Sequence, residues 1–151
     1  MQQGQRGPPT RQASGTVGIP EPFRLLSSIR HGWTYANTVL MMLDRAAGRI
    51  VGSISLFHAD WEVRAAEIGY GVRADERGKG YASEALGAIA RWALAEGGVQ
   101  RAWLTANTAN VALVRVARKA GFRREGTLCR AWLEDDGLYD LAVFSLLDDE
   151  L

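Results

Sequence analysis

The sequence predicts a mixed α/β fold (an α+β mixture), in which helices pack on one sheet. Three observations carry this reading. Runs with strand character fill residues 34–73. Two helical stripes then follow, separated by a short strand-like run at 101–105. A closing pair of strand-like runs, 122–130 and 138–146, brackets the turn-like Glu134-Asp135-Asp136-Gly137. The order is therefore strands, helix, strand, helix, strands, without an internal repeat.

Taken in order, residues 1–22 are rich in Gly, Pro, Gln and Ser, and such a stretch cannot offset its ordering entropy by burial. They read as a flexible N-terminal arm ahead of a folded unit at 23–151, with a short element of open type at 23–29. Residues 34–43 are apolar and β-branched. Asp44-Arg45-Ala46-Ala47-Gly48 reads as a hairpin turn with Gly48 at positive φ. Residues 50–57 alternate, placing Ile50, Ile54 and Leu56 on one face. Residues 58–65 read as a loop. Residues 66–73 form another strand, with Ile68, Tyr70 and Val72 on one face and Glu67, Gly69 and Gly71 on the other. From Ala82 the apolar positions 82, 85, 86, 89, 90, 93 and 94 make one helical stripe, which Gly97-Gly98 stops. Asn110 caps a second helix carrying Leu113, Val114, Ala117 and Ala120. Arg118 and Lys119 complement its dipole, and Gly121 ends it.

The composition narrows the function classes. The chain has 151 residues with 47% apolar content, which suits one core and is too little for two ordinary domains. The net charge of +1 supplies no global attraction to nucleic acid or to an anionic membrane. No apolar run approaches the ~20 residues that span a bilayer. The first residues lack the apolar core of a signal peptide, so a cytoplasmic location is expected. Cys129 is the single cysteine, which excludes an intramolecular disulfide. His31 and His58 stand alone in sequence, and no metal site is expected.

The chemistry concentrates in Val72-Arg73-Ala74-Asp75-Glu76-Arg77-Gly78-Lys79-Gly80-Tyr81-Ala82. A strand runs into a glycine-bearing turn, and a helix starts straight after it. The first amides of a helix have no internal partner, and the dipole is positive there. Gly78 and Gly80 let an anion approach the backbone, and Arg77 and Lys79 add charge, as a diphosphate cradle requires. The Walker loop G-x-x-x-x-G-K-[ST] is absent, and Gly78-Lys79-Gly80-Tyr81-Ala82-Ser83 contains half of a dinucleotide fingerprint. On spacing alone, a bare basic turn linking strand to helix stays open.

Arg77-Gly78-Lys79-Gly80-Tyr81-Ala82 resembles the R/Q-x-x-G-x-G/A loop of the GNAT acetyltransferase superfamily. Ala66-Glu67-Ile68-Gly69-Tyr70 and Tyr81-Ala82-Ser83-Glu84-Ala85-Leu86 resemble the branch that includes the ribosomal-protein N-terminal acetyltransferases. So do Asn110-Val111-Ala112, Arg118-Lys119-Ala120-Gly121-Phe122, Glu125-Gly126-Thr127 and Gly137-Leu138-Tyr139-Asp140. The resemblance spans residues 34–147. It implies a twisted, mostly antiparallel sheet with a central parallel splayed pair, flanking helices and a shortened N-terminal part.

The same resemblance implies acetyl-CoA as acyl donor, lying between the strand at 66–73 and the one at 101–105. Backbone groups of Gly71 and Val72 would hold the pantetheine arm. The amides of Gly78, Lys79, Gly80, Tyr81 and Ala82 would hold the pyrophosphate, beside Arg77. Asn110 would contact the cofactor, with plain helix capping as the alternative. The implied reaction is direct attack of a primary amine on the thioester, with Glu67 as base and the Val72 amide as oxyanion donor. The usual leaving-group acids are missing, because Leu113 and Phe144 stand in their places; Tyr139 is the nearby phenol. A non-catalytic acyl-CoA-binding sensor or interaction module on the same fold is the alternative. Either residues 23–33 supply a reduced acceptor wall, or another subunit does, or the chain is truncated; an open acceptor side would suit a protein N-terminus or a bulky amine. Trp92 and Trp103 fit element interiors, and Trp61 and Trp132 are candidates to border the acceptor. Exposed strand edges and the short N-terminus are consistent with a homodimer.

Overall fold

The computed structural model describes residues 38–151. The readings of the arm at 1–22, the element at 23–29, the wall at 23–33 and His31 lie outside the described residues. The elements are β1 (Thr38–Asp44), β2 (Arg49–Asp60), β3 (Ala65–Val72), α1 (Tyr81–Ala95), β4 (Arg101–Asn107), α2 (Val111–Lys119), β5 (Arg123–Glu134) and β6 (Gly137–Leu147). They form one sheet in the order β1-β2-β3-β4-β6-β5. Every neighbouring pair is antiparallel except β3 and β4. The fold class is thus the expected mixed α/β one.

Local chemistry accounts for the turns. Asp44 Oδ1 accepts the amides of Ala46 and Ala47 at 3.0 and 3.1 Å, and Gly48 has φ +64°, which closes the β1–β2 hairpin. The face expected for β2 needs one correction. Ile50 is 51% exposed, and Val51 is fully buried in its place. Met42 pairs with Gly52 but Leu43 pairs with Ile50, so Val51 is the extra residue of a bulge and turns inward. A second correction concerns residues 58–65, which are not all loop. β2 continues to Asp60 through another irregularity after Phe57, and only residues 61–64 turn. Asp60 Oδ1 holds that turn by accepting the Glu62 amide at 2.9 Å.

α1 buries Leu86, Ile89, Ala90, Ala93 and Leu94 against Val51, Ile54, Leu56, Ala66 and Ile68 of the sheet. A fully buried side chain such as Leu86 contributes about 1.5–3 kcal/mol relative to exposure. Trp92 joins this core, while Trp61 and Trp132 are exposed. Asn110 caps α2, its Oδ1 accepting the Leu113 amide at 3.2 Å, an arrangement worth about 1 kcal/mol. Among the described residues, β5, exposed along its whole length, forms one edge of the sheet and β1 the other.

The β3–β4 pair positions the site. A parallel pair needs a crossover, and α1 supplies it. Pairing covers only Ala65–Arg101, Ala66–Ala102 and Glu67–Trp103. Beyond Glu67 the two strands part, so β3 from Ile68 to Val72 lacks a β4 partner.

Candidate functional site

A cavity of about 610 Å³ opens between the end of β3, the loop after it, the start of α1 and the face of α2. Of the residues singled out from the sequence, Gly71, Val72, Arg77, Gly78, Gly80, Tyr81, Ala82 and Asn110 line it together. Gly78 and Gly80 have φ +79° and +93°, and a Cβ built on either meets no atom within 4 Å. The loop backbone therefore faces open space. The first amide of α1 to find a carbonyl one turn back is that of Glu84, which donates to Gly80 at 3.1 Å. The amides of Tyr81, Ala82 and Ser83 precede it and have no carbonyl within the helix. This set of free donors at a helix N-terminus fits a diphosphate.

The loop is braced from below. Glu76 is 2% exposed and pairs with Arg49 at 2.5 Å and with Lys79 at 2.8 Å. Such a carboxylate stays buried because both of its oxygens meet cations. The Lys79 ammonium is held at Glu76, and Lys79 does not line the cavity. Its charge is offset by Glu76, which does line the cavity. Arg77 Nε donates to the Val72 carbonyl at 3.3 Å, folding back on the end of β3. The Tyr81 hydroxyl donates to Asp44 Oδ2 at 2.6 Å and ties the start of α1 to the β1–β2 turn. That bond holds the Asp44 carboxyl below its ordinary range and raises the Tyr81 phenol.

Two cations missed in the sequence face the cavity. Arg115 and Lys119 lie four residues apart on α2 and share its cavity face. Helical spacing from Ala112, which puts 112, 115, 116 and 119 on one face, could have shown this, but Lys119 reads first as a partner of the helix dipole. Tyr70 also lines the cavity. Its hydroxyl is buried without a hydrogen-bond partner, and burial pushes its pKa up to about 12.

Glu67 lies elsewhere. Ala66 and Ile68 point into the core beneath α1, so Glu67 between them points to the opposite face of the sheet, where β3 and β4 begin to part. Here the expectation that His58 stands alone is corrected. His58 Nδ1 donates to Glu67 Oε2 at 2.8 Å. His58 sits in the irregularity after Phe57 with φ +48°, and the Phe57 ring packs edge-on against it at 4.8 Å. A bulge re-aims a side chain in this way, and strict alternation cannot predict it.

Tyr139 occupies a neighbouring recess of about 440 Å³ with Asn107 and Glu134; Asn110 and Leu113 line both spaces. Its hydroxyl donates to Asp136 Oδ2 at 2.7 Å, which raises its pKa. Phe144 is fully buried in the core. On the face shared with Trp103, Arg101 makes a bidentate pair with Glu125 at 2.5 and 2.6 Å, and the buried Ser145 hydroxyl donates to Glu125 at 2.6 Å. Arg101 first, then Ser145, pull the Glu125 carboxyl down to about 2. Among the described residues, no group of three or more His, Cys, Asp or Glu is placed to hold a metal ion, and no helix is long and apolar enough to cross a membrane.

Comparison with known proteins agrees with this geometry. Residues 15–123 match the acetyltransferase (GNAT) domain family. The chain belongs to that family. It is 28% identical over 103 residues to the uncharacterized N-acetyltransferase YoaA of Bacillus subtilis, covering 68% of this chain and 58% of YoaA. The chain spans 49–58% of the length of the curated relatives it matches. The fold superposes on a GNAT-family acetyltransferase of Bacillus anthracis with a TM-score of 0.67 at 27% identity, covering 74% of this chain and 67% of that one. It also shares the fold of the microcin C7 self-immunity acetyltransferase MccE, solved with acetyl-CoA and AMP. That match has a TM-score of 0.68 at 24% identity and covers 74% of this chain and 61% of MccE.

Proposed function

We propose that this domain transfers an acetyl group from acetyl-CoA to a primary amine by direct attack in a ternary complex. The observation that carries the reading is the open glycine cradle at a helix N-terminus, set beside a parallel pair that parts after three residue pairs. The amides of Gly78, Lys79, Gly80, Tyr81 and Ala82 would receive the pyrophosphate, with Arg77, Arg115 and Lys119 adding charge. Backbone groups of Gly71 and Val72 would hold the pantetheine arm, and Asn110 would both cap α2 and border the arm. The acetyl thioester supplies an activated carbonyl.

The amine would approach from the face opposite the helices, where Glu67 accepts its proton and His58 fixes the carboxylate. The Val72 amide would donate to the oxyanion. Tyr139 keeps its proton on Asp136, so the thiolate would leave without a dedicated acid. The acceptor fits a protein N-terminus, as in the ribosomal-protein branch, or a small amine. The unit would run from residue 23 to 151 behind an arm at 1–22, with a homodimer through a free sheet edge as the assembly.

A second reading, a non-catalytic acyl-CoA-binding module, draws on the same cavity and on the apolar Leu113 and buried Phe144. The test is calorimetric titration of acetyl-CoA into the wild type and Gly80→Glu, followed by thiol release with a panel of amines. Binding by the wild type, loss in the folded variant and turnover support the enzyme. Binding without turnover on any amine selects the module, and no binding by the wild type sinks both.

A further inference from the structure

The Tyr70 hydroxyl is the buried side-chain polar atom that the fold leaves without a partner among the described residues. Buried polar groups in native proteins are overwhelmingly paired, so such an orphan asks for a partner outside the chain. Tyr70 lies on the wall of the acyl donor cavity, its ring packs against the core, and its hydroxyl is closed off from the open space, so the wall must give slightly for a ligand to reach it. We infer that the Tyr70 hydroxyl donates a hydrogen bond to a carbonyl oxygen of the acyl-pantetheine arm when the donor occupies this cavity. This inference rests on the acetyl-CoA reading above.

Position selects the arm over the phosphates. The groups suited to phosphate stand at the loop end: the amides around Gly80, and Arg77, Arg115 and Lys119. Tyr70 stands two residues before Val72, about 7 Å further up β3 at the usual strand rise, toward the point where β3 and β4 part. The chemistry selects a neutral acceptor. The phenol keeps its proton far above neutral pH, and no group among the described residues accepts it, so it acts as a donor and not as a proton-transfer group. A carbonyl oxygen matches such a donor in a site whose lining also includes the apolar Val72, Leu113 and Val116. Tyr70 is thus a positioning residue for the donor.

Tyr70→Phe in the full chain removes one oxygen and keeps the ring. Two probes separate the ends of the ligand: acetyl-CoA, and adenosine 3′,5′-bisphosphate, which lacks the arm. The expected result is a roughly 3–10-fold weaker affinity for acetyl-CoA, the size of one neutral hydrogen bond. Affinity for the bisphosphate should not change. The unliganded variant should melt at the wild-type temperature or above it, because an unpartnered buried hydroxyl has gone. Equal acetyl-CoA affinity in variant and wild type overturns the inference, as does an equal loss for both probes. A lower melting temperature without ligand also overturns it, since the hydroxyl would then have a partner within the chain. Failure of the wild type to bind acetyl-CoA removes the acyl donor reading itself, a result distinct from the other three.

Discussion

Gly80 and Gly121 form a matched pair that separates backbone strain from ligand exclusion. Their φ values are +93° and +94°, and a Cβ on either would meet nothing within 4 Å. Gly80 lines the cavity, whereas Gly121 follows α2 and does not. Alanine at either position must adopt a left-handed conformation, at a cost of about 1–2 kcal/mol. The stiffer unfolded chain does not offset this where φ is positive. For a chain of this length, a loss of about 1 kcal/mol lowers the melting temperature by roughly 3–4 °C. Gly80→Ala and Gly121→Ala should therefore melt at similar temperatures, both below wild type. Binding should split them. A methyl at Gly80 stands over the amides that would meet the pyrophosphate, and one lost hydrogen bond to a charged group is worth about 1.5–3 kcal/mol. At about 1.4 kcal/mol per decade, that predicts a roughly 10–100-fold weaker affinity for acetyl-CoA in Gly80→Ala and an unchanged one in Gly121→Ala. Calorimetry on both variants reads the difference. Equal affinities in the two would refute the assignment of the loop as the phosphate cradle.

Two further outcomes follow from the opposite face of the sheet. Glu67→Gln keeps an acceptor for His58 but removes the base, so the turnover rate should fall about 10²–10⁴-fold while acetyl-CoA affinity stays unchanged; a wild-type rate removes Glu67 from the reaction. Glu125 has a folded pKa of about 2 against an ordinary 4.5, so its pairing with Arg101 and Ser145 stabilises the fold fully above about pH 4.5 and loses that contribution as pH falls toward 2. Glu125→Gln should be less stable than wild type at neutral pH, and its denaturation midpoints should vary less with pH between those limits. A pH dependence equal to wild type in the variant would refute the linkage.

Much of this site was legible because its determinants are local. The cap of Asn110 on Leu113, the Asp44 turn ending in Gly48, and the run from Val72 through Gly80 into α1 each depend on residues a few positions apart. Periodicity then placed Ile68, Tyr70 and Val72 on one face of β3, and the family resemblance supplied the parallel splayed pair that the structure contains. What the tertiary structure decided depends on bulges and on distant pairs. Inserting Val51 into β2 exchanged it with Ile50, because one extra residue reverses a period of two. The irregularity after Phe57 swung His58 onto Glu67, so two residues that looked independent became one unit. Lys79 turned from the cavity to Glu76, since a buried carboxylate needs its cations more than the exposed loop does. The orphaned Tyr70 hydroxyl and the Arg101–Glu125–Ser145 cluster arise only once β3, α2 and the last three strands are packed. Burial and pairing across such sequence separations are set by packing and are not written in any local pattern.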